Sequence, residues 1–247
     1  MAMHGDSSMD DGGTRRAFLW LAGSGAGLIL LGCSNKTERG RADAREGKEN
    51  EEEEKVTPGE DLMQEHGVLK RILLIYGEGI RRIEGKEDLP PETIRKSAEL
   101  VRSFVEDYHE KNEEDYLFPQ FRKAKQLVDL VDTLYTQHRA GRKVTEQIIA
   151  LATAQGLRNG DDAHRLSDLM GQFIRMYSAH EAREDTVLFP AFRDMLTKNE
   201  YDALGETFED QEHEHFGADG FEKAVAEVAE LEKTLGIYDL KQFTPTV

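Results

Sequence analysis

The sequence predicts an all-α protein, an antiparallel up-down four-helix bundle followed by one or two additional C-terminal helices. Apolar residues recur along three segments at alternating steps of three and four, the period of a helix with one buried face. The segment HEKNEEDYLFP at 109–119 returns as HEAREDTVLFP at 180–190, which indicates an internal repeat. Turn-forming segments at 84–92 and 156–162 divide each half of the repeat into two arms. These observations together predict two similar helical hairpins.

The first hairpin is predicted to begin at residue 57. Thr57 and Glu60 have the spacing of a capping box around Pro58, which starts the first helix. The apolar face of this helix comprises Leu62, His66, Leu69, Leu73, Tyr76, Ile80 and Ile83. We expect the second helix to end at Phe118-Pro119, because a proline inside a helix removes a hydrogen bond and collides with the preceding turn.

The second hairpin and the C-terminal helices are predicted from the same kinds of signal, apolar periodicity and helix-capping residues. The third helix has Leu127, Val131, Leu134, His138, Gly141 and Ile148 on its apolar face, and the fourth has Leu166, Leu169, Phe173, Tyr177, His180, Glu184 and Val187. A further helix is expected from Thr197, with Glu200 as its capping-box partner, to Gly217, and another over about 219–235.

Two pairs of side chains in the repeat have the spacing of metal ligands. His109 precedes Glu113 by four residues, and His180 precedes Glu184 by four, so each pair lies on one helix face. His66 lies 43 residues before His109, and His138 lies 42 residues before His180. Because hairpins with equal arms return to the same height, the four histidines are predicted to lie in one layer of the bundle.

This layer is predicted to face the core, because His66, His138 and Glu184 take positions on apolar stripes. A buried carboxylate is costly unless a partner or a metal neutralises it. Four histidines with two glutamates favour a metal, and this donor number exceeds what one tetrahedral zinc ion uses. Iron, manganese and zinc are the candidate metals.

The ordered series of His, H-x-x-x-E, His and H-x-x-x-E resembles the hemerythrin-like HHE cation-binding domains, four-helix bundles that hold a non-haem di-iron centre. The resemblance covers roughly residues 60–192. It implies two iron ions, with His66 and His109 on one iron, His138 and His180 on the other, and Glu113 and Glu184 bridging them. Ferritin-like bundles use an inward Glu-x-x-His step instead.

The chain departs from the oxygen-carrying members of that family at two positions. Those carriers have a second histidine four residues after the third-helix one, where this chain has Arg142. They also have an aspartate five residues after the last histidine, which here is Asp185. Either carboxylate could bridge, and the internal repeat favours Glu184. An oxygen donor such as Glu110 or Glu181 would make a harder site that favours ferric iron.

Three functions remain open from the sequence. The first is a protein that binds or senses O2 or a related small molecule such as nitric oxide. The second is a di-iron oxidoreductase that reduces peroxide, O2 or nitric oxide. The third is a structural or iron-holding bundle. Among the other candidates near the layer, we expect His213, His215 and His164 to be exposed, with an approach of His213 or His215 to the layer as the alternative. We expect Tyr135 and Tyr177 to be core residues, with hydrogen-bond donors behind the ligands as the alternative.

The first 33 residues are predicted to be an export signal. Arg15 and Arg16 resemble a twin-arginine motif, and the uncharged stretch that follows ends in a lipoprotein-like Leu-Leu-Gly-Cys33. The lone cysteine has no second cysteine to pair with, which favours lipidation. An uncleaved anchor is the alternative. We therefore expect a membrane-anchored lipoprotein that faces the periplasm or the cell exterior.

Composition and charge along the chain predict its domain boundaries and argue against two kinds of partner. Residues 34–59 contain almost no apolar side chains and are predicted to be a disordered tether, followed by the bundle at 60–192 and a helical extension at 193–247. The formal net charge of -17 argues against nucleic acid and against docking on anionic lipid. Membrane attachment is expected through the lipid alone.

Overall fold

The structure, a computed structural model, describes residues 56–246. The predicted export signal, Cys33 and nearly all of the predicted tether lie outside the described residues. Between 56 and 246 the chain is helical, without β-strands, and none of its helices is long and apolar enough to cross a membrane. The predicted all-α bundle with additional helices is confirmed. The helices are α1 (Pro58–Gly85), α2 (91–124), α3 (Val128–Leu151), α4 (Ala154–Arg158), α5 (160–195), α6 (Lys198–Phe216) and α7 (Gly220–Leu235), with a final 3₁₀ turn, Leu240–Phe243.

The ends of α1 are fixed by local hydrogen bonds. The predicted capping box is present, with the Thr57 side chain accepting from the backbone of Glu60, and the Glu60 side chain accepting from the backbone of Thr57. At the other end Lys86 adopts a left-handed conformation with φ 53°, which turns the chain toward α2. The turn predicted at 84–92 is confirmed.

Two helices contain widened, π-helical turns, and these correct one prediction. In α2, Val101–His109 and Glu113–Leu117 are π-helical, and Phe118–Ala124 returns to α-helix. The second helix therefore does not end at Phe118-Pro119. The wide turn before Pro119 moves the carbonyl group that a proline ring would otherwise strike. The matching segment of the repeat in α5 has the same kind of turn, because Glu184–Leu188 is π-helical and Phe189–Met195 returns to α-helix.

A polar layer divides the core of the four-helix bundle. Leu69, Tyr108 and Tyr177 belong to one buried apolar cluster, and Leu62 and Leu188 belong to a second. Each of the long helices places its candidate ligands between residues of these two clusters. The predicted common height of the histidines follows from this arrangement. One residue of the predicted stripes is misplaced, because Leu127 caps α3 in a left-handed conformation and is 38% exposed.

The C-terminal helices pack on the outside of α1. The hydroxyl of Tyr201 in α6 accepts a hydrogen bond from the backbone N–H of Gly59 in α1, at 2.9 Å. Glu232 of α7 accepts two hydrogen bonds from Arg71, at 3.0 and 2.6 Å. The predicted helix from Thr197 to Gly217 and the one ending near Gly236 are both present. The extension therefore covers the bundle and leaves its polar layer intact.

Candidate metal centre

Four histidines from four helices turn their Nε2 atoms to the middle of the bundle. His66, His109, His138 and His180 are each at most 3% exposed. Nε2 of His138 and Nε2 of His180 lie 3.2 Å apart. Glu113 and Glu184 are fully buried between these rings. All six residues that the sequence singled out as ligands therefore lie in one place.

The distances divide the six residues into two overlapping sets of donors. Glu113, His138, His180 and Glu184 offer atoms that all lie within 4.8 Å of one another, and His66, His109 and Glu113 form a second such group. Oε2 of Glu184 also lies 3.3 Å from Nε2 of His66. Each carboxylate thus reaches a histidine of both hairpins, which is the arrangement of a bridging ligand.

Each histidine makes a hydrogen bond through Nδ1, the ring nitrogen that points away from the middle of the bundle. His66 contacts Asp185 at 2.7 Å and His138 contacts Glu114 at 3.0 Å. A further contact joins His109 to Glu65 at 2.7 Å, and another joins His180 to Gln137 at 2.9 Å. Carboxylate and amide oxygens accept hydrogen bonds, so each Nδ1 carries the proton and each neutral ring presents a lone pair at Nε2.

The residues that contact the ligand histidines on their outer side occupy equivalent positions in the internal repeat. Glu114 and Asp185 both lie five residues after a ligand histidine, and each holds the first histidine of the opposite hairpin. The phenylalanines of the two Leu-Phe-Pro segments are also equivalent, because each stacks on the first histidine of a hairpin. Phe118 stacks on His138 at 5.4 Å between ring centres, and Phe189 stacks on the equivalent His66 at 5.5 Å. The repeated sequence therefore encodes ligands and the residues that orient them.

The two central carboxyl groups, Glu113 and Glu184, have very different pKa values because of their burial and of the charges around them. Burial, followed by the nearby charge of Glu184, raises the pKa of Glu113 to about 8. Burial would also raise the pKa of Glu184, but the charges of His180 and His66 outweigh it and hold that pKa below its usual range. Without a metal, one proton is therefore expected on this pair at neutral pH.

Two of the histidines carry a second proton, and therefore a positive charge, when no metal is bound. Burial opposes a charge on His66, but its hydrogen bond with Asp185 and its contact with Glu184 raise the pKa to about 10. Burial likewise opposes a charge on His138, and Glu110, Glu113 and Glu114 raise its pKa well above the usual value. Burial, with the charge of His66, lowers the pKa of His109.

The three secondary ligand candidates lie around the inward set. Asp185 faces Nδ1 of His66, as described, so Glu184 is the carboxylate that lies inward. Glu110 accepts a hydrogen bond from the Tyr177 hydroxyl at 2.6 Å and pairs with Arg142 at 2.8 Å. Glu181 is buried, 3.6 Å from the ammonium group of Lys70.

Arg142 and Lys70 form a second pair of equivalent residues. Each lies four residues after the first histidine of its hairpin. Arg142 contacts Glu110 and Glu114, both at 2.8 Å. Lys70 contacts Glu181 and Asp185 at 3.6 and 3.0 Å. Each hairpin thus supplies one cation that neutralises two acidic side chains of the other hairpin. At the position where oxygen carriers have a histidine, this chain has an outer salt-bridge residue.

Sequence reasoning missed four residues of the outer contacts: Glu65, Glu114, Gln137 and Lys70. The repeat contained a signal for Glu114, because it matches Asp185 at the same offset from the preceding ligand histidine. Glu65 and Gln137 each precede a histidine by one residue, a position that the apolar stripe leaves off the inward face. His213, His215 and His164 are exposed, as predicted. Tyr135 is also exposed, against the prediction of a core residue, whereas Tyr177 is buried.

The hemerythrin HHE cation-binding domain matches residues 57–163 and again residues 129–244. The chain belongs to this hemerythrin HHE family. It is 46% identical over 232 residues to an uncharacterized protein of Mycobacterium bovis, covering 94% of this chain and 91% of the relative. Uncharacterized proteins from two strains of Mycobacterium tuberculosis match it equally. No solved structure matches the chain significantly.

The inward atoms of this HHE domain fit a metal. Within residues 56–246, no hydrogen bond of good geometry reaches any of the four carboxylate oxygens of Glu113 and Glu184, although all are buried. With each Nδ1 donating outward, neutral rings add only Nε2 lone pairs to this set. Acceptors crowded together need cations between them. The HHE match and this buried His/Glu cluster identify a metal-binding helical protein.

Proposed function

We propose that the chain holds two iron ions at His66, His109, Glu113, His138, His180 and Glu184, and that it binds or senses O2 or a related small molecule there. The observation that carries the proposal is the convergence of four Nε2 atoms on two buried carboxylates. His66 and His109 would hold one ion and His138 and His180 the other, with both glutamates shared. A mixed set of imidazole and carboxylate donors suits iron.

Bound iron would supply an open coordination position and redox chemistry toward a small molecule. The chain itself supplies a dry, fixed environment. Phe118 and Phe189 cover His138 and His66 from the side of the second apolar cluster. Asp185, Glu114, Glu65 and Gln137 hold the four rings in one tautomer and orientation. Water is excluded, since all six inward residues are buried.

A di-iron oxidoreductase that reduces peroxide, O2 or nitric oxide is the second candidate, and one observation favours it. Such reductions consume protons, and buried Glu110 lies beside the ligand His109, where it accepts a hydrogen bond from the Tyr177 hydroxyl. Burial and the charge of Glu110 raise the pKa of Tyr177 well above its usual value, so the phenol keeps its proton. In this candidate function Tyr177 would orient Glu110 through this hydrogen bond, and Glu110 would relay protons that solvent supplies.

The location of the protein is also a proposal. The twin-arginine motif and Cys33 support export of the folded, iron-loaded protein and its attachment to a membrane by lipid, facing the periplasm or the cell exterior. The net charge of -17 supports attachment through lipid rather than through a basic surface. The same charge argues against a nucleic-acid partner.

Ligand binding and turnover separate the candidates. The iron-loaded protein is mixed with nitric oxide or azide and followed by absorption, and peroxide consumption is measured on the same sample. A binding protein changes its spectrum without sustained turnover. An oxidoreductase turns over, and Tyr177→Phe lowers its rate while it keeps its iron and its azide spectrum. Loss of both responses in the iron-loaded protein would leave an iron-holding bundle.

A further inference from the structure

The two hairpins differ at one pair of matching positions behind the metal ligands. Glu65 precedes His66 by one residue, and Gln137 precedes His138 by one residue. Glu65 contacts Nδ1 of His109 at 2.7 Å, and Gln137 contacts Nδ1 of His180 at 2.9 Å. The same hydrogen bond thus ends on a carboxylate in one hairpin and on a neutral amide in the other.

The inward donors are of the same kinds at both positions. Each candidate metal position has two imidazoles, and both positions share the two glutamates. The residues behind the rings are therefore what distinguishes them electrostatically. A carboxylate behind an imidazole makes the ring a stronger donor, and loss of such a partner typically weakens metal binding by about 10- to 100-fold.

The outer residues at His66 and His109 are both carboxylates. Asp185 uses Oδ1 for His66 and its other oxygen, Oδ2, for Lys70. Glu65 is 2% exposed and faces His109. Each ring of this hairpin is thus hydrogen-bonded to a carboxylate group, and Lys70 offsets part of the charge on Asp185.

The outer residues at His138 and His180 differ from each other in charge. Oε1 of Glu114 receives both Nδ1 of His138, at 3.0 Å, and Nη2 of Arg142, at 2.8 Å. Arg142 offsets the charge of Glu114 as Lys70 offsets that of Asp185, so these two matching positions are alike. The other ring has only the uncharged oxygen of Gln137. His180 is therefore the one ligand histidine of the four whose outer partner has no charge.

A surface groove lies beside the same two residues. It has a volume of about 400 Å³, runs between α3 and α5, and is lined by Leu134, Gln137, Ala179 and His180 among others. The Gln137–His180 hydrogen bond forms part of its floor. A short path from solvent therefore ends at His180, the ring whose outer partner is an uncharged amide.

We propose that the two metal positions are graded, and that the ion held by His138 and His180 is the labile one, with Gln137 as the residue that sets this difference. The inference rests on the proposed metal pair. Gln137 is a positioning residue, because it acts on the metal through His180. The ion at His66 and His109 stays in place while its neighbour exchanges through the α3/α5 groove.

The experiment measures iron release from the full-length, iron-loaded chain into a ferrous-iron chelator after anaerobic reduction. The wild-type chain should release two ions in a fast and a slow phase. Gln137→Glu should slow the fast phase by about tenfold or more, because it gives His180 a carboxylate partner. Glu65→Gln should accelerate the slow phase by a similar factor. Gln147→Glu, which adds the same charge further along α3 beside Arg165, should change neither phase.

Two results would overturn the grading. More inward donors converge at His138 and His180, where four residues offer atoms within 4.8 Å of one another, than at His66 and His109, where three do. If that convergence governed release, this ion would leave last, and Gln137→Glu would slow the slow phase. Release of both ions in one phase that neither variant alters would also refute the inference while leaving the metal pair intact. A chain that loads fewer than two ions contradicts the proposed function itself. Melting curves of the iron-free variants show whether each one folds.

Discussion

Gly141 lies directly against the hydroxyl group of Tyr177, and the missing side chain of the glycine makes room for that hydroxyl. Tyr177 uses the space to donate to Glu110, which also pairs with Arg142. A methyl group at position 141 would collide with the ring, which is itself fixed by Phe173 at 4.3 Å between ring centres. The glycine therefore positions a buried proton donor next to the metal ligands.

Gly141→Ala should destabilise the protein by about 1–3 kcal/mol, because the overpacked ring has to move. Alanine alone would favour the helix by about 0.5–1 kcal/mol, so any loss reflects the collision. Gly77→Ala in α1 is the matched control, since a Cβ there meets nothing within 4 Å, and this variant should be slightly stabilised. Chemical denaturation measures both. A stabilised Gly141→Ala variant would mean that Tyr177 is not held at this place.

Removal of one ligand histidine should remove one ion. His109→Ala and His180→Ala should each lower the iron content from about two to about one per chain, because each histidine serves a different metal position. Iron is counted against protein concentration by elemental analysis. His164→Ala, at a histidine whose side chain is 81% exposed, should keep the wild-type content. Retention of two irons and an unchanged spectrum in both ligand variants would show that the ligands are elsewhere.

The metal-free protein should become less stable as the pH rises from 7 to 9. The folded pKa values of Glu113 and His66 are raised to about 8 and about 10, from ordinary values of 4.5 and 6.5. Above pH 7 the unfolded chain has released both protons, whereas the folded chain keeps them. Each such group lowers the free energy of unfolding by about 1.4 kcal/mol per pH unit until its folded pKa is passed.

The iron-loaded protein provides the comparison for this pH dependence. Bound metal takes the place of these protons, so its stability should fall much less over the same range, and it should melt well above the metal-free form at neutral pH. The Glu113→Gln/Glu184→Gln double variant should show a smaller gap, because it lacks the two central carboxylates that the metal neutralises. Thermal melts from pH 7 to pH 9 measure all three forms. Equal melting of the loaded and metal-free wild type would contradict a shared buried site.

The periodicity of the sequence was enough to place the inward residues. His66 and His138 occupy positions on apolar stripes, and the four-residue step from His109 to Glu113 puts both on one face. These are properties of a single helix, which local spacing determines. The turn near residue 86 and the capping boxes are equally local, and both were predicted.

Features that depend on a neighbouring helix were not predictable in this way. Pro119 was expected to end a helix, but a π-helical turn accommodates it. Tyr135 and Tyr177 both lie three residues before a ligand histidine, yet only Tyr177 faces a glycine of the adjacent helix and is buried. Gln137 is recognisable as a partner of His180 only when α3 and α5 are side by side.

The export signal predicts a processing pattern. Cys33→Ala should leave an unlipidated, uncleaved precursor, because this residue would be both the lipid acceptor and the first residue of the mature chain. Arg15/Arg16→Lys should block export. Intact mass and cell fractionation measure both. Mature protein should lack Trp20, the single tryptophan of the sequence, and its presence in the membrane-bound form would support an uncleaved anchor instead.

The iron content of the aerobically purified protein, taken together with its absorption spectrum, tests the central claim most directly. Four buried histidines arranged around two shared carboxylates should hold two irons per chain and give the near-ultraviolet absorption of a carboxylate-bridged ferric pair. Azide should alter that absorption if one iron has an open position. A chain that stays at one metal ion or none after anaerobic loading with ferrous iron would contradict the di-iron centre.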